Sequence, residues 1–289
     1  MTGNSAQMGV VIVAAGRSSR MDGVDKQTTL LGDESVIAHS LRVFETFDEV
    51  GVVVLVMSAE NLEEGKITVA DGKFTKVIDV VAGGERRQDS VKTGFDVLAS
   101  QVEIAPDFVA VHDGARPFID HEMLSRGLAT AQKIGAAIAA VPVKDTIKLA
   151  PHRVVTETPD RASMWAVQTP QIFRFDVLKT AHEMTDEDVT DDASMVESVG
   201  GLVAIFEGSN DNIKITTPED LELATLILGR RQVGAAAQSG AAAESDALAS
   251  DASTDAPNAP KKKKARRRRR RRGRGGDEAG QASGDSPVQ

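Results

Sequence analysis

Residues 9–21 read GVVIVAAGRSSRM. From Gly9 to Ala15 the chain is apolar almost without a break and rich in β-branched side chains. A strand apolar on both faces belongs inside a sheet covered by helices on both sides, which is how parallel sheets are built. The small residues Ala14, Ala15 and Gly16 end the run, and the cations Arg17, Arg20 and Lys26 follow. Open α/β sheets bind ligands at the carboxyl ends of their strands. There, backbone N–H groups of small residues approach a phosphate closely, and a following helix N-terminus adds partial positive charge. Arg20 and Lys26 are placed to neutralise phosphoryl oxygens. A tight strand–helix turn with two surface cations is the alternative. The loop does not fit G-x-G-x-x-G, and no G-x-x-x-x-G-K-[ST] occurs, which argues against a P-loop ATPase or GTPase.

Outward from that stretch the pattern repeats. Short β-branched runs at 50–56, 77–81, 108–111, 137–141 and 202–206 alternate with helical spacing at 35–47, 91–98 and 123–134. The alternation predicts an α/β fold, a mostly parallel Rossmann-like sheet with helices on both faces. Residues 144–163 break the rhythm. Two short alternating segments, TIKL and RVVTET, flank Ala-Pro-His and suggest a protruding β-hairpin arm suited to pairing with another copy. A plain surface excursion is the alternative.

The 289 residues carry 43 Asp+Glu against 34 Lys+Arg, a net charge of −9, and 41% are hydrophobic, enough for a buried core. Aromatics are 3% with no Tyr, which disfavours a base-stacking nucleic-acid platform. The absence of Cys excludes disulfides, thiolate catalysis and Cys-ligated metals. No apolar run is long enough to span a membrane and residues 1–7 lack a secretory pattern, so a cytoplasmic protein is expected. The mean charge hides an asymmetry. Residues 234–289 hold 12 Lys/Arg against 7 Asp/Glu, which leaves residues 1–233 with 22 against 36. The boundary at 233 separates an α/β domain from an Ala/Ser/Asp-rich tail that cannot bury enough surface to order itself. Lys261–Lys264 and Arg266–Arg272 make that tail either a polyanion-binding arm or a solvated extension.

Two more motifs come after predicted strands. In GGERRQDSV (Gly83 to Val91), the glycines permit φ > 0 and Ser90 sits where a helix can start. Ser90 is either an N-cap or, with Gly83, part of a nucleobase-binding loop. In VHDGARP (Val111 to Pro117), Asp113 falls at the carboxyl end of a buried strand. A carboxylate beside phosphate-binding loops suits Mg²⁺, which takes one or two carboxylate oxygens plus substrate phosphates. Pairing of Asp113 to Arg116 alone is the alternative. His112 reads as a packed strand residue, since no histidine pair has metal-ligand spacing. Thr146, Arg161, Thr169, Thr190 and Lys214 sit in loop-like stretches; taken singly each reads as ordinary loop chemistry, and together they supply hydroxyls and cations of the kind that grip a second phosphorylated molecule.

AAGxxxRM…KQ, GGxxRxxSV, HDxARP, DTIK, RxxMWxxQTPQxF, TDDAS and NDNIKITTPEDLELA occur in this order between about residues 9 and 230. This set resembles the 2-C-methyl-D-erythritol 4-phosphate cytidylyltransferase family, within the glycosyltransferase-A-like nucleotidyltransferases. The resemblance implies transfer of CMP from CTP to 2-C-methyl-D-erythritol 4-phosphate with Mg²⁺, and release of pyrophosphate, on the non-mevalonate route to isoprenoid precursors. It implies homodimers joined by hairpin arms. It implies that Arg20 and Lys26 hold the triphosphate and stabilise the transition state. Ala14, Ala15, Gly16, Gly83 and Ser90 match the cytidine loops. Asp113, with Ala115 beside it, matches the position near Mg²⁺ and the ribose, and Lys214 matches the lysine reaching the phosphates. Thr146, Arg161, Thr169 and Thr190 match positions around the sugar phosphate. Ser18, Asp25 and Gly114 depart from the family pattern. Ser18 restricts φ > 0 and Asp25 sets a negative charge beside Lys26, so weaker CTP binding is expected. A ribitol 5-phosphate cytidylyltransferase shares most of these motifs, and a catalytically weak scaffold with a polyanion-binding tail is the remaining alternative.

Overall fold

The computed structural model describes residues 7–16, 29–103, 105–185 and 188–251, with side chains as far as residue 234. β1 (Met8–Ala14) is buried along nearly its whole length, because Val10, Val11 and Ile12 have no polar face to turn to solvent. It pairs in parallel with β4 (Val50–Met57) on one side and β6 (Phe108–Asp113) on the other. Beyond β4 lies β5 (Val77–Ala82), also parallel. A minor antiparallel pair, β2 (Leu30–Leu31) and β3 (Glu34–Ser35), precedes α1 (Val36–Thr46), whose first turn is capped by Ser35 Oγ accepting from the Ala38 N–H.

Crossover helices return the chain over the sheet. One face carries α1, α2 (Leu62–Gly72) and α4 (His121–Ile134), with Ile37, Leu41, Phe44, Met123 and Leu124 packed on Ile12 and Leu55. The other carries α3 (Arg87–Gln101), α5 (Phe175–Met184) and α6 (Asp192–Ser198), with Val91, Phe95, Leu98, Leu178 and Met195 packed on Val11, Val54 and Val109. Both faces of the central strands are thus apolar, as the unbroken Val/Ile runs require.

The far side of the sheet adds a strand that the residue pattern does not reveal. β7 (Ala136–Pro142) and β9 (Ala204–Glu207) are parallel, but β8 (Trp165–Arg174) is antiparallel and lies between β6 and β7. Pro170 within QTPQ argues against a central strand, since it cannot donate to the ladder. The structure accommodates it where the pairing of β7 with β8 shifts register, between Ile138–Gln171 and Ala140–Val167. β7 and β8 form one antiparallel pair, and the predicted arm is its connection, residues 143–164. In place of two arm strands there is a single antiparallel bridge, Leu149 to Glu157, with short 3-10 turns at Pro151–Arg153 and Arg161–Ser163. Pro151 and Pro159, and positive φ at His152 and Arg153, keep the ladder from propagating.

The chain divides into residues 1–236 and 237–289. α7 (Pro218–Asp251) begins in the first unit, so helical backbone extends past the compositional boundary at 233. In the second unit, residues 237–251 are the described ones and are helical.

Candidate active site

β1, β4, β5 and β6 run in parallel, and their registers bring Ala14, Met57, Ala82 and Asp113 to one edge of the sheet. The turns after those strands enclose a cavity of about 840 Å³, lined by Ala15, Gly16, Ser58, Gly83, Gly84, Arg87, Ser90, Asp113, Ala115 and Lys214 among others. That volume suits a nucleotide-sized ligand. The neck between β1 and α3 is built by close approach. A Cβ on Gly83 would stand 2.5 Å from both Ala15 Cβ and Ser90 Oγ, and one on Gly84 would stand 2.4 Å from Asp89 Cβ. Neither glycine has positive φ. Both are there for lack of a side chain and not for backbone freedom, which corrects the expectation from sequence. Ser90 is not the N-cap either. α3 starts at Arg87, and Asp89 Oδ2 accepts from the Arg86 N–H. The buried Ser90 hydroxyl donates to the Arg86 carbonyl at 3.1 Å and forms part of the cavity wall.

Asp113 forms the floor. Lys214 Nζ lies 2.8 Å from its Oδ2, Arg116 Nε 3.8 Å from the same oxygen and Arg87 Nε 3.6 Å from Oδ1. Burial on its own would push this carboxyl up, but Lys214 first, then Arg87 and Arg116, outweigh it and hold it down at about 2. Asp113 is therefore a permanent anion inside a ring of cations. The alternative of a simple Asp113–Arg116 pair does not describe it, since Lys214 is the nearer partner. Arg87 is held in turn by the fully buried Asp192, Nη1 to Oδ2 at 2.7 Å. Burial would lower the Arg87 pKa, and Asp192 and Asp113 more than reverse that.

Beneath this ring lies a neutral relay. His112 is fully buried, and burial drives its pKa down to about 4. Its Nε2 is 3.0 Å from the Arg116 carbonyl and its Nδ1 3.2 Å from Thr169 Oγ1. The Thr169 hydroxyl also accepts from the Asp113 N–H at 3.0 Å. Asn212, equally buried, donates from Nδ2 to the Thr169 carbonyl at 2.9 Å and to Gln168 Oε1 at 3.2 Å, while its backbone carbonyl accepts from Arg116 Nη1 at 2.7 Å. These bonds seat the loop that carries Lys214.

The chain has relatives among known proteins. The sequence model of the 2-C-methyl-D-erythritol 4-phosphate cytidylyltransferases matches residues 8–230. The chain belongs to this family. It is 44% identical over 223 residues to the 2-C-methyl-D-erythritol 4-phosphate cytidylyltransferase of Dehalococcoides mccartyi strain CBDB1, covering 77% of this chain and 96% of that protein. It is 45% identical to the Bacillus velezensis protein of the same name, covering 76% of this chain and 94% of the relative. The crystal structure of 4-diphosphocytidyl-2C-methyl-D-erythritol synthase from Anaerococcus prevotii superposes with a TM-score of 0.68 at 27% identity, covering 78% of this chain and all of that one.

For a chain of the cytidylyltransferase family, the residues expected at the site fall into three groups. Ala15, Gly16, Gly83, Ser90, Asp113, Ala115 and Lys214 line one cavity, Ala14 ends the strand that leads into it, and Thr169 lies directly below Asp113. Thr146 and Arg161 are exposed on the arm, with Arg161 Nη1 donating to the Lys144 carbonyl, and Thr190 is exposed ahead of α6; none of the three lines the cavity. Arg20 and Lys26, with Ser18 and Asp25, lie outside the described residues. Sequence reading missed Arg87 and Asp192 as a pair, and Asn212 as an anchor. Arg87 stands inside the GGxxRxxSV motif and Asp192 inside TDDAS, so both signals are present, but nothing in the pattern links residues so far apart.

Proposed function

We infer that this chain transfers CMP from CTP to 2-C-methyl-D-erythritol 4-phosphate, releasing pyrophosphate and 4-diphosphocytidyl-2-C-methyl-D-erythritol for isoprenoid precursor synthesis. The observation that carries this reading is the family match across residues 8–230, within which the segments holding Ala15, Gly16, Gly83, Ser90, Asp113, Ala115 and Lys214 line one cavity. The family match and the named relatives favour methylerythritol phosphate over ribitol phosphate, and an enzyme over a weakened scaffold.

The chemistry is an in-line displacement at the α-phosphorus of CTP by a substrate phosphate oxygen. That oxygen is already anionic at neutral pH, so no general base is needed. The work is to bring two polyanions together and to stabilise added charge in the transition state. Lys214, with Arg20 and Lys26 from the sequence that follows β1, supplies that charge. The narrow wall of Ala15, Gly83 and Ser90 receives the nucleoside. Among the described residues no three acidic or His side chains cluster as a prebuilt metal cage. One ionised carboxylate, Asp113, would hold a Mg²⁺ ion that arrives with the substrate phosphates. When bound, Mg²⁺ neutralises phosphate charge.

Two further readings belong to this proposal. The arm exposes Leu149, Val154 and Val155 together with Thr146 and Arg161, which supports a homodimer in which one arm completes the neighbour's sugar-phosphate site. The 12 Lys/Arg of residues 261–274 lie beyond the family match, which supports a separate polyanion contact. The activity is tested with purified chain, CTP and Mg²⁺ by following pyrophosphate release. The expected outcome is turnover with 2-C-methyl-D-erythritol 4-phosphate well above that with ribitol 5-phosphate. Equal or inverted preference, or no release from either, overturns the assignment.

A further inference from the structure

The in-line displacement leaves one buried ion pair without a task. Asp192 opens α6 and has no exposed surface; Arg87 opens α3 and lines the cavity. Their link, Nη1 to Oδ2 at 2.7 Å, joins elements 105 residues apart. Among the described residues Arg87 is the ion-pair partner of Asp192, whose Oδ1 has no hydrogen-bond partner. A buried carboxylate is expensive, and an apolar pair of similar volume is often no less stable. Stability therefore does not account for the pair. Helix electrostatics do not account for Arg87 either, since a cation in the first turn opposes the α3 dipole.

The pair does fix a guanidinium in place. Asp192 is itself held to the sheet, because Gln171 on β8 donates to Asp191 Oδ2 at 2.7 Å and accepts from the Ala193 N–H at 3.2 Å. The guanidinium so anchored reaches towards Asp113 Oδ1 with its Nε and uses few of its five donors. Lys214 reaches the same carboxylate with a more exposed ammonium on a flexible four-carbon stem. We propose that Asp192 is a positioning residue that holds Arg87 as a stationary phosphate-binding cation on the wall of the nucleotide cavity. Guanidinium forks match phosphate oxygens in geometry as well as charge. This proposal rests on the cytidylyltransferase reading, in that it takes the ligand to be the triphosphate of CTP.

The test measures the Kd of CTP with Mg²⁺ by calorimetry alongside steady-state KM and kcat. Asp192→Asn keeps the shape and removes the charge. It is expected to raise Kd and KM for CTP about tenfold or more, the usual scale for a charge-assisted hydrogen bond. kcat should stay within about threefold, the signature of lost ground-state binding. Because Asp192 acts through Arg87, the double variant Arg87→Ala with Asp192→Asn should bind CTP no worse than Arg87→Ala alone. A lower melting temperature with unchanged Kd and KM, or additive losses in the double variant, overturns the proposal. If Asp192→Asn does not fold, the paired replacement Arg87→Met with Asp192→Leu decides it: weakened CTP binding is expected, and wild-type binding overturns it. Wild-type protein that binds CTP but makes no product ends the assigned reaction and leaves the Kd comparison standing.

Discussion

His112 has no exposed surface and two hydrogen-bond partners that make opposite demands on its nitrogens. The Arg116 carbonyl can only accept, so Nε2 carries the proton. Thr169 Oγ1 already accepts from the Asp113 N–H, so its own hydrogen goes to Nδ1. One tautomer of the neutral ring satisfies every partner, and a second proton leaves the Thr169 hydroxyl without an acceptor there. Burial, which disfavours the charged ring, fixes the sign of the pH effect. The folded chain keeps His112 neutral down to about pH 4, whereas the unfolded chain protonates it near its ordinary value of 6.5. Between those values the unfolded state binds more protons, so stability falls as pH falls. A gap of roughly 2.5 units corresponds to about 3 kcal/mol. Urea titrations from pH 7 to pH 4 should show such a loss in the wild-type chain and a clearly smaller one in His112→Gln. Some dependence should persist, because burial also pushes the His182 pKa down. The same slope in both proteins contradicts the assigned relay. Asp113 answers in a separate, more acidic window, losing its contribution as pH falls from its ordinary value through about 2.

Among the elements, the β7–β8 hairpin does the most to divide function between places. Its inner end supplies Thr169 below Asp113, and its outer end carries Thr146 and Arg161 away from their own cavity. If an arm serves the neighbouring site, two inactive variants should complement each other when mixed. In a mixed dimer of Lys26→Ala and Arg161→Ala subunits, one site combines both defects. The other pairs an intact Lys26 with an intact incoming Arg161. Activity measured after denaturing and refolding an equal mixture should reappear, although each variant alone is nearly inactive. No recovery, with mixed dimers demonstrated by tag capture, excludes sharing across subunits. The same hairpin marks the limit of reading residues alone. β1, β4, β5, β6 and β7 were legible because continuous Val/Ile/Ala runs have no other stable home than a covered parallel sheet. β8 was not, because Pro170 and the polar residues around it mimic a loop. Its Gln168, Thr169 and Gln171 face polar partners supplied by the loop after β9, by the end of β6 and by the cap of α6, so the strand's polarity makes sense only once those partners are in place.

At the scale of the whole chain, the cavity was legible as a set of loops, since every contributing motif lies just past a strand end. The ion-pair ring was not, because the positions of Arg87, Arg116, Asp192 and Lys214 around Asp113 depend on the sheet order. Charge obeys a different division. Residues 1–233 carry an excess of Asp and Glu, and 12 of the 14 residues from Lys261 to Arg274 are basic. An acidic body repels nucleic acid, so any affinity for a polyanion should reside in the tail. The family match stops at residue 230 and the relatives are covered almost to their full length, so catalysis should not require the tail. A chain truncated after Ala236 should therefore keep its kcat, its KM for CTP and its melting temperature. Full-length protein, titrated into labelled duplex DNA and followed by anisotropy, should bind with a steep salt dependence. Each phosphate neutralised contributes about −0.9 to the slope of log K against log salt, so six contacts give roughly −5. The truncated chain should show neither the binding nor the slope. Equal binding by the two proteins would move the polyanion site onto the folded body, whose excess of Asp and Glu makes that the electrostatically unfavourable result.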